Sequence, residues 1–219
     1  MVQTGHRLEA IDHILISHPH ADHVASLPSI LQSILVSGTY FPSSRRSKPL
    51  YLHGFPGFRK FYYILRKYMV PERAERYLIK IFEYKNQTRQ FAGLKITGKV
   101  VPHVPQHFSS VAWRVSLGKK ILMYSGDSGF SEKLITSARN ADIAVVEASV
   151  SSKMFEELGP RPNHLSPYEC GLIAAKAGVK KLVLSHLYDT ATKGQIVKEA
   201  RKNFSGKIIV SRDLEVVRA

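Results

Sequence analysis

Apolar positions along the chain fall into short runs with two different periods. The β-branched run at 11–17 (IDHILIS) predicts a buried strand, and the spacing within 23–36 (HVASLPSILQSILV) predicts a helix. A polar, turn-rich loop follows at 38–49; Arg45, Arg46 and Lys48 make it basic and mark it as solvated. Residues 49–57 read as a strand and tight turn. The next twelve, FRKFYYILRKYM at 58–69, read as an amphipathic helix. Phe58, Phe61, Tyr62, Leu65 and Met69 form its core stripe, and Arg59, Lys60, Arg66 and Lys67 its charged outer face. From 78 to 124 the period changes to that of strands, at 78–84, 91–101 and 110–124, joined by glycine-containing turns as hairpins of a second sheet. The remainder alternates helix and strand: a helix at 131–139, a buried strand ending at Glu147, then a polar loop. A further helix runs from the Ser166-Pro167 start to Gly178, where glycine stops it. The apolar run 180–186, a helix over about 192–203 and short strands at 207–210 and 214–217 complete the pattern. No repeat, low-complexity stretch or linker composition interrupts it, so one domain over 1–219 is expected.

Composition narrows the setting. A chain of 219 residues with 44% hydrophobic content can bury a sizeable core. Its longest weakly polar stretch, Val24 to Val36, is too short to span a bilayer, and MVQTGHRLEA lacks an apolar signal region. No membrane association and a cytoplasmic location are therefore expected. The single cysteine, Cys170, excludes an internal disulfide and sits in an apolar helical run, as a buried structural thiol would. Lysine and arginine number 32 against 17 acidic residues, and 32 − 17 gives a net charge of +15. Such an excess concentrates polyanions, so RNA or another phosphate ester is the expected partner class.

The chemistry is concentrated in residues 17–23, SHPHADH, where His18, His20, Asp22 and His23 are all metal-ligating types. They lie on a strand-to-helix connection, the usual place for chemistry in an α/β sheet. Imidazoles two apart can close on one ion, while Asp22 and His23 can lean toward a second. Nitrogen and carboxylate donors without thiolate suit zinc or another borderline first-row ion.

SHPHADH matches the HxHxDH signature of the metallo-β-lactamase-fold hydrolases, and the resemblance covers nearly the whole chain. Further motifs follow in the family's order: a histidine in VPHVPQHFSS, Asp127 in YSGDSG, and His186 in LVLSHL. The stretch NHLSPYECGLIAAKAGVKKLVLSHL at 163–187 resembles the ribonuclease Z-like branch. The resemblance implies an α/β fold, an αββα metallo-β-lactamase sandwich of two mixed β-sheets flanked by helices. Family strands that precede the signature are absent here, so the N-terminus is shortened. It also implies two zinc ions, or manganese, with His18, His20 and His107 on one, Asp22, His23 and His186 on the other, and Asp127 bridging. His107 precedes Asp127 by 20 residues, as in related sequences, and His103 by 24; His107 is preferred and His103 stays open. Asp22 would orient or deprotonate the attacking water. His164 matches the branch's proton donor or phosphate clamp, and Glu147 its acidic partner. Only nineteen residues separate His107 from Asp127, which leaves no room for a tRNA-gripping arm.

The implied function is a dinuclear metallo-hydrolase, foremost a phosphodiesterase or ribonuclease Z-like nuclease. Hydrolysis of a non-phosphate ester, thioester or lactone is the alternative, and a non-catalytic nucleic-acid-binding scaffold a second one. A homodimer is compatible with all three.

Overall fold

The computed structural model describes residues 5–69, 77–151, 153–154, 157, 163–188 and 191–219. The chain groups into two compact units, Met1–Tyr84 and Lys85–Ala219.

The first unit holds β1 (His13–Leu15), α1 (Ala21–Val24), α2 (Ser26–Tyr40), β2 (Leu50–Gly54), α3 (Phe58–Met69) and β3 (Ile79–Glu83). Its three strands pair in parallel in the order β1-β2-β3. Parallel neighbours need crossover connections, which α2 and α3 supply. The core of this unit is formed by Leu27, Leu31, Ile34, Leu50, Leu52, Phe58, Tyr62 and Ile81, each under a tenth exposed.

Two expectations change here. Residues 78–84 pair with β2 in the first sheet rather than forming a hairpin of the second. A short apolar strand carries no mark of its partner, so periodicity could not assign it. The basic loop is not wholly solvated either: Arg46 is 4% exposed. Its guanidinium donates to Glu9 O at 2.8 Å, Asp12 Oδ1 at 2.8 Å and Pro49 O at 2.6 Å, tying the loop to the segment ahead of β1. A buried arginine is tolerated because its donors meet a carboxylate and carbonyls.

The second unit contains β4 (Gln87–Phe91), β5 (Leu94–Val101), β6 (Ser110–Leu117), β7 (Lys120–Tyr124), α4 (Glu132–Ala138), β8 (Ile143–Glu147), α5 (Pro167–Ala177), β9 (Lys181–Ser185), α6 (Lys193–Arg201) and β10 (Lys207–Val210). These seven strands make one mixed sheet in the order β10-β9-β8-β7-β6-β5-β4. The β4–β7 half is an antiparallel meander, and the β7–β10 half is parallel. Leu134, Ala144, Val146, Cys170, Ile173, Leu182, Leu184 and Phe204 lie in its continuous core.

Local chemistry fixes the helix ends. Ser166 and Glu169 form a capping box at the start of α5, Pro167 occupies its first turn, and Gly178 (φ 66°) closes it in a left-handed cap. At Gly171 the close approach of α6 leaves no space for a side chain, since a Cβ would fall 2.2 Å from Ala200 O. The strand expected at 214–217 does not form. Leu214 has φ 64°, in the left-handed region that extended backbone excludes, and a turn takes its place.

Candidate metal centre

In the first unit β1 delivers the chain to Ser17 and His18, both buried, and His20 caps α1, which carries Asp22 and His23. His18 Nδ1 lies 3.0 Å from Ser17 Oγ, and His18 Nε2 lies 3.0 Å from His20 Nδ1. The His18 and His23 ring centroids are 4.1 Å apart, and His23 Nε2 is 3.2 Å from Asp22 Oδ2. Asp22 is the open end of this group, with its side chain 63% exposed. Three imidazoles and a carboxylate are thus concentrated within one strand-to-helix turn.

In the second unit, functional side chains follow the ends of strands. Two residues after β5 comes His103, three after β7 comes Asp127, and one after β9 comes His186. His103 and Asp127 are both 2% exposed. His103 Nε2 stands 3.9 Å from Asp127 Oδ2, and His186 Nε2 stands 3.5 Å from the same oxygen. The expected His107 is not in this group. It is exposed in the turn after β5, with its backbone N–H donating to Val104 O at 2.9 Å. Spacing to Asp127 counts residues across an irregular Pro-rich turn, whereas position just past a strand end fixes where a side chain emerges. The flanking Pro102 and the apolar run ending at Val101 were the sequence signals for His103.

The tautomers are set from behind. A carbonyl can only accept, so His103 Nδ1 carries the proton and donates it in a hydrogen bond to Asn163 O at 2.7 Å, which leaves Nε2 as the electron-pair donor. Ser149 plays the same part for His186. Its hydroxyl proton goes to the charged acceptor, Glu147 Oε2 at 2.5 Å, so its oxygen accepts from His186 Nδ1 at 2.8 Å. Both imidazoles therefore turn lone pairs toward the Asp127 carboxylate. Acceptors facing one another repel unless a cation lies among them, and nitrogen with carboxylate oxygen is a donor set that zinc or manganese accepts. The residues present fit a divalent metal. His186 also sits at φ 53°, a left-handed backbone position costing about 1–3 kcal/mol that recurs at functional sites.

Behind this group Glu147, 2% exposed, closes β8. Its carboxylate receives Ser128 N–H at 2.6 Å and faces His164 Nδ1 with both oxygens, at 3.1 and 3.0 Å. The His164 ring lies 4.9 Å from that of His103 and 6.1 Å from that of His186. Sequence patterns gave no sign of Ser149 or of the Asn163 carbonyl, because a serine or a backbone oxygen carries no periodicity. Cys170 is fully buried, donates to Glu147 O at 2.9 Å, and has its thiol pKa raised well above the ordinary value by burial and the nearby Glu147 and Glu169 charges.

A family described as a beta-lactamase superfamily domain matches residues 2–187. The chain is 25% identical to the probable metallo-hydrolase YhfI of Bacillus subtilis, over 93% of this chain and 77% of that protein. The crystal structure of YhfI superposes with a TM-score of 0.74 at 22% identity, covering 94% of this chain and 76% of that one. A ribonuclease Z of Methanosarcina acetivorans is 25% identical over 98% of this chain and 83% of its own. Human tRNase Z, short form, has the same fold at 16% identity, with a TM-score of 0.74 over 99% of this chain and 82% of that one.

Proposed function

The chain belongs to the metallo-β-lactamase superfamily, and on that premise we propose that it is a dinuclear zinc-dependent phosphodiesterase, ribonuclease Z-like in its chemistry and acting on RNA or a related phosphodiester. His18, His20 and His103 would hold one ion, Asp22, His23 and His186 the other, with Asp127 shared between them. Such ions, zinc or manganese, supply Lewis acidity toward a water and toward phosphoryl oxygens.

The observation that carries the reading is the bidentate contact of Glu147 with His164 Nδ1 at 3.0 and 3.1 Å. A buried carboxylate in that position favours the imidazolium and directs its remaining N–H, on Nε2, to the outside of the pair. Ser128 N–H and Ser149 Oγ–H occupy further lone pairs of Glu147, so the carboxylate is held in one orientation. His164 can then place a positive charge near a phosphoryl oxygen and pass the Nε2 proton to the departing alkoxide. Asp22, the exposed carboxylate of the signature, is suited to orient or deprotonate the attacking water. A phosphodiester uses both the cation and the +15 surface, whereas a lactam, lactone or thioester has a neutral reacting centre that the +15 surface does not attract. Between Val101 and Asp127 the chain forms only a short turn and the β6–β7 hairpin, so no substrate-gripping arm emerges there. Similarity to ribonuclease Z supports the substrate class.

The test is a substrate panel of bis-p-nitrophenyl phosphate, short RNA and cyclic nucleotides, against thioester and lactone substrates, with zinc and manganese each supplied. Phosphodiester turnover is expected, with His164→Ala lowering it by about 10²–10⁴-fold while metal content is kept. Turnover of thioesters or lactones alone would assign the protein to the other hydrolases of its superfamily. No turnover together with less than half an equivalent of metal would leave the scaffold reading.

A further inference from the structure

α3 buries one face and leaves a second stripe in solvent. Phe58, Tyr62 and Leu65 are buried. Lys60, Tyr63, Ile64, Lys67 and Tyr68 are all exposed, and they recur at i, i+3, i+4, i+7 and i+8. That is the spacing of a single helix face, here turned outward. Tyr63 is 57% exposed, Ile64 53% and Tyr68 75%, which is unusual for three large side chains on one helix. The tyrosines are not loosely placed. The Tyr63 ring meets buried Tyr62 edge-on with centroids 5.5 Å apart, and Lys67 Nζ lies 5.4 Å from the Tyr68 centroid. No residue from Phe58 to Met69 is acidic.

We infer that this face of α3 is a docking surface for single-stranded RNA, with Tyr63 and Tyr68 as stacking platforms and Lys60 and Lys67 as phosphate contacts. Exposed aromatics interleaved with cations are what a single strand needs: every base has a π-face, and every linkage a charge. Five residues of helix separate the tyrosines by about 7.5 Å along the axis, roughly two stacked-base steps. Two other occupants fit less well. A second copy of the chain would bring the lysine stripe against its own image, a like-charge contact with no carboxylate on the helix to relieve it. A bilayer surface would need a broad aliphatic face, and Ile64 is the one aliphatic side chain in the stripe. This inference deepens the phosphodiesterase reading by naming the form of RNA, but binding can be measured without turnover.

The experiment is fluorescence anisotropy with a labelled twelve-nucleotide oligouridylate, alongside the same length of duplex RNA and anionic phosphatidylserine vesicles. The full chain is used, loaded with zinc. Tyr63→Ala and Tyr68→Ala should each weaken oligouridylate binding by about 5- to 100-fold, and Tyr68→Phe should retain it. Lys60→Glu with Lys67→Glu should weaken binding and lower the salt slope by about the 0.7 per contact expected for single strands. Turnover of bis-p-nitrophenyl phosphate should not change in any of these variants, since none lies in the proposed catalytic set. If wild-type turnover of that substrate is absent while the binding losses appear, the phosphodiesterase reading fails and the docking surface stands. Unchanged oligouridylate affinity in the tyrosine and lysine variants would overturn the inference. So would preference for vesicles, or a dimer in sedimentation velocity that Tyr68→Ala dissociates without affecting RNA.

Discussion

At the scale of the residue, the metal-ligand proposal divides sharply between two histidines four positions apart. His103→Ala should lose about one metal equivalent by elemental analysis, whereas His107→Ala, in an exposed turn, should keep both. The opposite result would restore the spacing argument. His18, His20, Asp22 and His23 were legible as a ligand-rich group because four metal-binding types fall within six positions of a strand-to-helix turn. Glu147 and His164 were legible as an acid–imidazole pair only through family resemblance, and the structure brings them to 3.0 Å. Ser149 was not legible at all. Its role comes from one hydroxyl lying between Glu147 and His186, a contact that depends on how two strand ends are placed and leaves no mark on the surrounding sequence.

Elements were read most reliably where propensity, capping and period agreed. α3 runs over the twelve residues expected of it, and α5 begins and ends on the Ser-Pro and Gly signals that defined it. β4 was missed because QTRQF has an alternating but polar pattern, as befits the edge of a sheet with both faces partly solvated. The joint between β7, β8 and β9 depends on a group that no pattern marks. Asp142 accepts from Lys180 Nζ and from the backbone N–H of Ile121, each at 2.8 Å, and the Lys180 hydrogen bond, then that of Ile121, holds its carboxyl below the ordinary range. A carboxylate with a lowered folded-state pKa contributes stability above its unfolded pKa and loses it as pH falls through the folded one. Asp142→Asn should therefore lower the thermal midpoint at neutral pH, and the gap to wild type should close below the usual carboxylate range. A pH-independent gap would mean that the side chain's shape, not its charge, holds the joint.

For the molecule as a whole, charge and metal dominate the expected behaviour in solution. With free metal near a hundred times its Kd, binding to the native state alone adds about 2.7 kcal/mol of stability. Removal by a chelator should lower the melting temperature, and zinc should restore it; an unmoved midpoint would count against resident metal. Among the described residues no helix is long and apolar enough to cross a membrane.

The division of the seven-stranded sheet also bears on the order in which the second unit acquires its structure. The β4–β7 meander closes through short turns, so its loop-closure entropy is small, whereas β8, β9 and β10 must wait for helical crossovers to bring distant segments together. Pulse-labelled hydrogen exchange during refolding should protect the amides of β5 and β6 before those of β9. The strand that presents His186 would then be among the last to form. The meander half would acquire protection while the histidine and its supporting serine were still unplaced, and a chain caught at that stage would be folded in part but unable to hold its metal.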